Sequence, residues 1–359
     1  MSHADDARHM AHALGLARRG LGNVWPNPAV GCVIVRDGIV VARGWTQPGG
    51  RPHAERFALD AAGDKARGAT AYVTLEPCSH YGKTPPCADA LIAAGVARVV
   101  VALTDPDPRV AGRGLARLRA AGVTVTEGVG RDQAAALNRG FLNRITLGRP
   151  MLTLKLATSL DGRIATASGE SRWITGAEAR RQVHLLRLTH DAVMVGGGTA
   201  RADLPALNVR GFGPVRQPVR VIASARGDIP PLPEDHDAGP LWLLHDRDVA
   251  VALPPGARGI GVDSVQGHLD PVAMMRALAG AGLTRVLCEG GGALAASLLA
   301  AGLVDDLITY SAGLVLGAEG RAAVAALPLA PLSAMPRLRL RGVRRLGGDV
   351  MQLWSVVNE

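Results

Sequence analysis

An α/β fold in two units is predicted for this 359-residue sequence by three features. Short β-branched runs alternate with Ala- and Leu-rich stretches of helical period in both halves. The length is about twice that of an ordinary domain. Gly148-Arg149-Pro150 breaks the pattern before a new β-rich run begins. One domain is therefore placed at residues 1–147 and the other at 150–359.

Within the first domain, residues 31–45 read as a hairpin with Asp37-Gly38 as its two-residue turn. Residues 53–64 have the period of a helix and 69–77 of a buried strand. A helix at 88–95, a strand at 97–108, a helix at 112–122 and a strand at 123–129 follow. In the second domain the β-rich run 151–165 leads into strands at 191–198, 218–224, 240–245 and 284–292, each ending in a loop. The clearest helices are 271–282 and 291–304. Residues 336–345 and 348–356 read as a terminal hairpin around Gly347-Gly348, and 230–240 as a Pro-rich surface loop. No internal repeat is present.

Hydrophobic residues make up 48% and charged residues 20%, which excludes a disordered or collagen-like chain. No apolar run reaches the ~18 residues of a membrane span. The N-terminal segment carries Asp5 and Asp6 and has no apolar core, so it does not read as a secretory signal, and a cytoplasmic protein is expected. Forty basic residues against 31 acidic give a net charge of +9. Lys65, Lys83 and Lys155 are the only lysines, and the arginines are scattered. That favours general surface charge over a polyanion groove, which needs dense basic blocks interleaved with aromatics. Cys32, Cys78, Cys87 and Cys288 are too few and too uneven for a disulfide framework, so thiols or metal thiolates are expected. Cys32, inside a strand, reads as a small core residue.

Three of the remaining residues suit a metal. His53 opens a helical run, Cys78 closes a strand, and Cys87 precedes a helix. One imidazole and two thiolates suit zinc and leave its fourth tetrahedral position open, as in a catalytic site. Zinc lowers the pKa of bound water toward neutrality, and a separate group must then move protons. Glu55 lies two residues from His53 and does not share its helix face, so it is better placed for that task than for chelation. This is the zinc nucleobase-deaminase arrangement, in which a non-ligand Glu shuttles protons.

The residues between the cysteines, Ser79-His80-Tyr81-Gly82-Lys83-Thr84-Pro85-Pro86, with Pro26-Asn27-Pro28 and Val30-Gly31 upstream, closely resemble the bifunctional deaminase/reductase family of riboflavin biosynthesis. The resemblance implies an N-terminal cytidine-deaminase-like three-layer domain. It implies that His53, Cys78 and Cys87 bind zinc, that Glu55 is the proton donor and acceptor, and that Asn27, His80 and Lys83 lie near a phosphoribosylated pyrimidine. The family commonly has Asp-Pro-Asn-Pro where this chain has Asp105-Pro106-Asp107-Pro108, so an amide donor is missing at 107.

The second half lacks a GxGxxG after its first strand, which argues against a standard Rossmann unit. Gly196-Gly197-Gly198-Thr199 and Gly290-Gly291-Gly292 instead follow strands, where backbone amides can approach phosphate. The segments 155–163, 168–174 and 289–291 again resemble the riboflavin family, whose reductase half is dihydrofolate-reductase-like. The resemblance implies that Ala157, Trp173, Thr199, Asp203, Ser224 and Gly291 contact NADPH. It assigns Lys155, Ser171, Arg187, Leu207, Arg210 and Glu289 to substrate, and it implies a homodimer or larger homo-oligomer. Arg187 and Arg210 have the planar permanent charge that suits a substrate phosphate. Either Lys155 or Asp203 can serve the proton transfer. Two family carboxylates are replaced here, by Leu204 and Ala223. The sequence thus predicts a zinc deaminase joined to an NADPH-dependent reductase. The rivals are a nucleic-acid deaminase with a basic binding module and a zinc-stabilised scaffold without catalysis.

Overall fold

The computed structural model describes residues 3–81, 85–107, 111–232, 238–328 and 330–357. They form two units, divided between Gly148 and Arg149.

In the first unit Asp37 and Gly38 both have positive φ, 51° and 77°, the geometry that turns a tight hairpin. They join β1 (Gly31–Arg36) antiparallel to β2 (Ile39–Trp45). The strands β3 (Thr70–Val73), β4 (Arg98–Val101) and β5 (Thr124–Glu127) complete a five-stranded sheet of order β2-β1-β3-β4-β5. Side chains alternate across it. Cys32, Ile34, Ala71, Val73, Val99 and Val101 enter one core, with α2 (Ala54–Ala62), α3 (Cys87–Ala93), α4 (Arg113–Ala120) and Phe141 of α6 (Arg139–Thr146). Val33, Val35, Tyr72 and Val100 enter the other, with α1 (His3–Ala17) and α5 (Arg131–Leu137). The result is a helix-sheet-helix sandwich. Asp6 pins α1 to the sheet, accepting from Arg98 at 2.7 and 2.9 Å and from the Tyr72 hydroxyl at 2.8 Å. On the opposite face a Cβ at Gly44 would lie 2.2 Å from the Ala54 carbonyl oxygen, so glycine is what lets the start of α2 press against β2.

The second unit contains β6 (Met151–Thr158), β7 (Arg163–Ala165), α7 (Ala177–Leu188), β8 (Ala192–Gly196), α8 (Gly197–Asp203), β9 (Val219–Ala223), β10 (Leu241–Asp246) and β11 (Arg258–Val262). The small hairpin β12 (Ser264–Val265) and β13 (His268–Leu269) follows, then α9 (Pro271–Gly280), β14 (Arg285–Gly290), α10 (Gly292–Ala300), β15 (Asp306–Ser311), β16 (Arg321–Ala322), β17 (Leu338–Leu346) and β18 (Asp349–Val356). Nine strands make one sheet of order β11-β10-β9-β8-β14-β6-β15-β18-β17. Neighbours from β11 to β15 run parallel, and the β17–β18 hairpin adds an antiparallel edge, turning between Leu346 and Asp349.

Buried polar anchors fix this sheet. Asp191 accepts from the Thr284 amide and hydroxyl and the Arg285 amide, at 2.7 to 2.8 Å. Asp305 takes both arms of Arg149. One expectation needs correction. The glycine run after β8 is not a loop, because Gly197 begins α8 directly and packs where a Cβ would sit 2.9 Å from the Ser224 side chain. The expected surface loop at 230–240 falls partly outside the described residues, as do 233–237 themselves.

Candidate functional site

His53 precedes α2 in extended backbone, and Cys87 is the first residue of α3. Cys78 lies in the segment between β3 and α3, and the Cys87 amide donates to its sulfur at 3.3 Å. His53 Nδ1 lies 3.7 Å from Cys78 Sγ and 3.4 Å from Cys87 Sγ. A tetrahedral zinc with ordinary Zn–S and Zn–N bonds needs an N-to-S separation of roughly 3.6 Å, close to both of these distances. All three ligand atoms lie within 4.8 Å of one another. The hydrogen bond from Cys87 and the neighbouring His53 hold the Cys78 thiol down to about 4. The same Cys78 contact, with burial, pushes Cys87 up. His53 is raised by its bond to Cys78.

Glu55 is 3% exposed and stands outside this ligand set. Burial lifts its carboxyl to about 7, partly opposed by the His53 charge. It faces a cavity of about 300 Å³ that also exposes Asn27, Arg51, His53, Cys78, His80, Asp105, Asp107, Phe141 and Arg144. Behind the cavity lining, Asn138 exchanges two hydrogen bonds of 3.0 Å with the Ala29 backbone, which ties the Asn27 segment to the start of α6. Burial also raises Asp105, to about 6. Asp107, the residue that departs from the family pattern, is buried and donates its amide to Asp105 Oδ1 at 2.9 Å. Lys83 lies outside the described residues.

Sequence reasoning missed Glu76. Its carboxylate collects four backbone amides, from Asp105, Gly112, Gly114 and Leu115, at 2.9 to 3.4 Å. It thereby fixes the segment that carries Asp105 and Asp107. Its position two residues before a metal-type cysteine was the available signal. Arg51 and the α6 residues Phe141 and Arg144 gave none, because only the fold brings them to the cavity.

In the second unit the residues assigned by resemblance fall into two groups. Arg187, near the end of α7, makes a bidentate pair with Glu289 at 2.5 and 2.9 Å and donates to the Asn208 carbonyl at 2.6 Å. Burial pushes Glu289 up, but Arg187 outweighs it and leaves the carboxyl below its ordinary value. Burial pulls Lys155 down, against the attraction of the Glu289 charge. Leu207 is buried beside Asn208 with φ 53°. The Arg187 charge is balanced by Glu289 within the protein.

The second group lies at the ends of β8, β9 and β14. A Cβ on Gly291 would come within 2.9 Å of Thr199 Oγ1, and Gly197 meets Ser224 as described. Ala157 and Asp203 occupy the ends of β6 and α8, and the Asp203 carbonyl accepts from Arg172. Trp173 is 67% exposed, with the Arg180 guanidinium 4.6 Å over its ring. Ser171 is half-buried, and Arg210 is exposed, its amide directed at His184. At Gly197 and Gly291 the backbone comes close to neighbouring side chains because no Cβ intervenes.

Residues 150–352 match the RibD C-terminal domain, and residues 3–103 match the cytidine and deoxycytidylate deaminase zinc-binding region. The chain is 46% identical to riboflavin biosynthesis protein RibD of Escherichia coli, over 96% of this chain and 98% of that one. The chain belongs to the RibD family. The Haemophilus influenzae RibD is 42% identical over 97% of this chain and 96% of its own. Acinetobacter baumannii RibD superposes with a TM-score of 0.89 at 39% identity, covering 99% of this chain and all of that one. The diaminohydroxyphosphoribosylaminopyrimidine deaminase/5-amino-6-(5-phosphoribosylamino)uracil reductase of Thermotoga maritima gives 0.88 at 33%, covering 99% of each. Like other RibD proteins, the chain is a bifunctional deaminase and reductase of riboflavin biosynthesis, with a zinc-binding deaminase domain. The expected fold class, a cytidine-deaminase-like domain followed by a reductase domain, is the one found. The RibD assignment leaves a scaffold without catalysis, or an RNA-binding second half, with no support.

Proposed function

We propose that the first unit removes the exocyclic amine of 2,5-diamino-6-(5-phosphoribosylamino)pyrimidin-4(3H)-one as ammonia, and that the second reduces the ribosyl group of the product to ribityl with NADPH. The observation that carries the first step is the convergence of His53, Cys78 and Cys87 while Glu55 stays outside the set. His53, Cys78 and Cys87 would hold zinc, which would supply a Lewis acid that makes water nucleophilic near neutrality. Glu55, buried beside the ligand set, is the residue placed to accept a proton from attacking water and to return it to the departing amine. A carboxyl held near 7 suits both halves of that transfer. Buried Asp105 and Asp107 offer acceptors to an amino-rich ring, and Asn27 and His80 line the way in.

In the second unit NADPH supplies the hydride. Lys155, beside the Arg187–Glu289 pair, holds the proton that the reduction consumes, and its lowered affinity for that proton favours release. Arg187, held by Glu289, and Arg210 supply the planar permanent charge that suits the substrate phosphate. A homo-oligomeric assembly and a cytoplasmic setting follow from the resemblance. Among the described residues no helix is long and apolar enough to cross a membrane.

A two-stage assay tests the reading. The intact protein should release one ammonia per diaminopyrimidine and then oxidise NADPH, followed at the nicotinamide absorbance, with NADH a poorer donor. No oxidation with the deaminated intermediate at any enzyme level would overturn the second step.

A further inference from the structure

Dinucleotide reductases that choose NADPH must recognise one extra phosphate monoester on the adenosine ribose, and sequence alone offers too many arginines to say which residues do so. The fold narrows the choice. Ser224 follows β9, at the carboxyl end of a parallel strand, where ligands of such sheets bind. Its hydroxyl donates to Asp228 Oδ1 at 2.8 Å. Arg201 of α8 donates to the same oxygen at 3.0 Å and to the Asp228 carbonyl at 3.3 Å. Arg226 reaches Asp228 Oδ2 at 3.2 Å. One carboxylate thus gathers two guanidiniums and a hydroxyl into a single cluster with an excess positive charge. Gly197, whose Cβ would lie 2.9 Å from the Ser224 side chain and 3.2 Å from Arg201 Nη1, keeps the approach to it open.

We propose that Arg201, Arg226 and Ser224, oriented by Asp228, bind the 2′-phosphate of NADPH and set its preference over NADH. Each guanidinium keeps donors beyond those given to Asp228, and planar donor pairs match phosphate oxygens. Both arginines reach solvent, at 40% and 73% exposed. Exposed ion pairs of this kind are weakly held, so the side chains turn to a dianion at little cost.

Two phosphate monoesters compete for such a site, the cofactor 2′-phosphate and the substrate 5′-phosphate. Position favours the first. Three strand steps, β6 to β14 to β8 to β9, separate Lys155 from Ser224, or ~14 Å at ordinary strand spacing. A dinucleotide laid across the strand ends spans that distance. A ribose 5-phosphate whose C1 lies by Lys155 is only a few bonds long and does not.

The inference rests on the NADPH reading of the second unit, and titration calorimetry on the full chain separates the two. The probes are NADP⁺, NAD⁺, 2′-AMP and ribose 5-phosphate. The unchanged chain should prefer NADP⁺ to NAD⁺. In the Arg201→Gln/Arg226→Gln double variant the affinity for NADP⁺ and 2′-AMP should fall about 10- to 100-fold, the range for losing charge-assisted hydrogen bonds. NAD⁺ binding should stay as it was. Arg226→Gln alone, at a position largely in solvent, should lower NADP⁺ affinity without endangering the fold, and Arg226→Lys should restore part of it. An unaltered NADP⁺ to NAD⁺ ratio in the double variant overturns the proposal. So does loss of ribose 5-phosphate affinity with NADP⁺ affinity retained. If the unchanged chain binds neither dinucleotide, the cofactor reading itself falls.

Discussion

Glu55 and Glu76 are both buried carboxyls on the wall of one cavity, 3% and 4% exposed, yet their surroundings give them opposite tasks. Glu76 is saturated by backbone amides and anchors a segment. Burial keeps the Glu55 carboxyl near neutrality, where a proton is easily gained or lost. Replacing Glu55 by Gln preserves shape and removes that capacity. Ammonia release should drop by about 10²- to 10⁴-fold while metal analysis finds zinc at the level of the unchanged protein. Zinc lost in step with activity would instead put Glu55 among the ligands. The paired types His-x-Glu and Pro-Cys made this centre legible, because metal chemistry demands particular atoms. Glu76 carried no such demand. Its partners lie 29 to 39 residues away and become partners only through the fold.

At the scale of elements, signals were clearest where local chemistry decides the structure. Asp37-Gly38 dictates a hairpin turn by itself. Gly197-Gly198-Thr199 reads as a loop by propensity but is helical, because packing of Gly197 on Ser224 outweighs the intrinsic cost of glycine. The α5–α6 pair was obscured by Asn138-Arg139-Gly140 at its junction, where Asn138 bonds the Ala29 backbone. The link between α7 and β6 is a pH-sensitive one. His190 Nδ1 lies 2.7 Å from the Leu186 carbonyl oxygen and so donates to it, which leaves Nε2 to accept from the Thr153 hydroxyl at 2.9 Å. Burial lowers its pKa from 6.5 to about 3. Below pH 6.5 the unfolded chain therefore takes up a proton that the native imidazole refuses, and stability is lost as pH falls toward 3. By pH 4.5 the loss is about 3 kcal/mol. Melting curves of the second unit should show a flatter acid limb for His190→Gln. Identical pH slopes would mean that another group governs the acid sensitivity.

For the molecule as a whole, the two chemistries reside in separately packed units. Deamination depends on a chelatable ion, whereas the reductase residues gather no comparable donor set among the described residues. Treatment with a strong chelator should abolish ammonia release while oxidation of NADPH by the deaminated intermediate continues at its original rate, and added zinc should return the first activity. Parallel loss of both rates would contradict this division. The outer strand of the large sheet has a bearing on how copies of the chain can meet. Arg339, Arg341, Arg344 and Arg345 are exposed along β17, whose far edge has no neighbour in the sheet among the described residues. Two such borders brought together would set guanidinium against guanidinium, and the repulsion guards the protein against fibre-like strand addition.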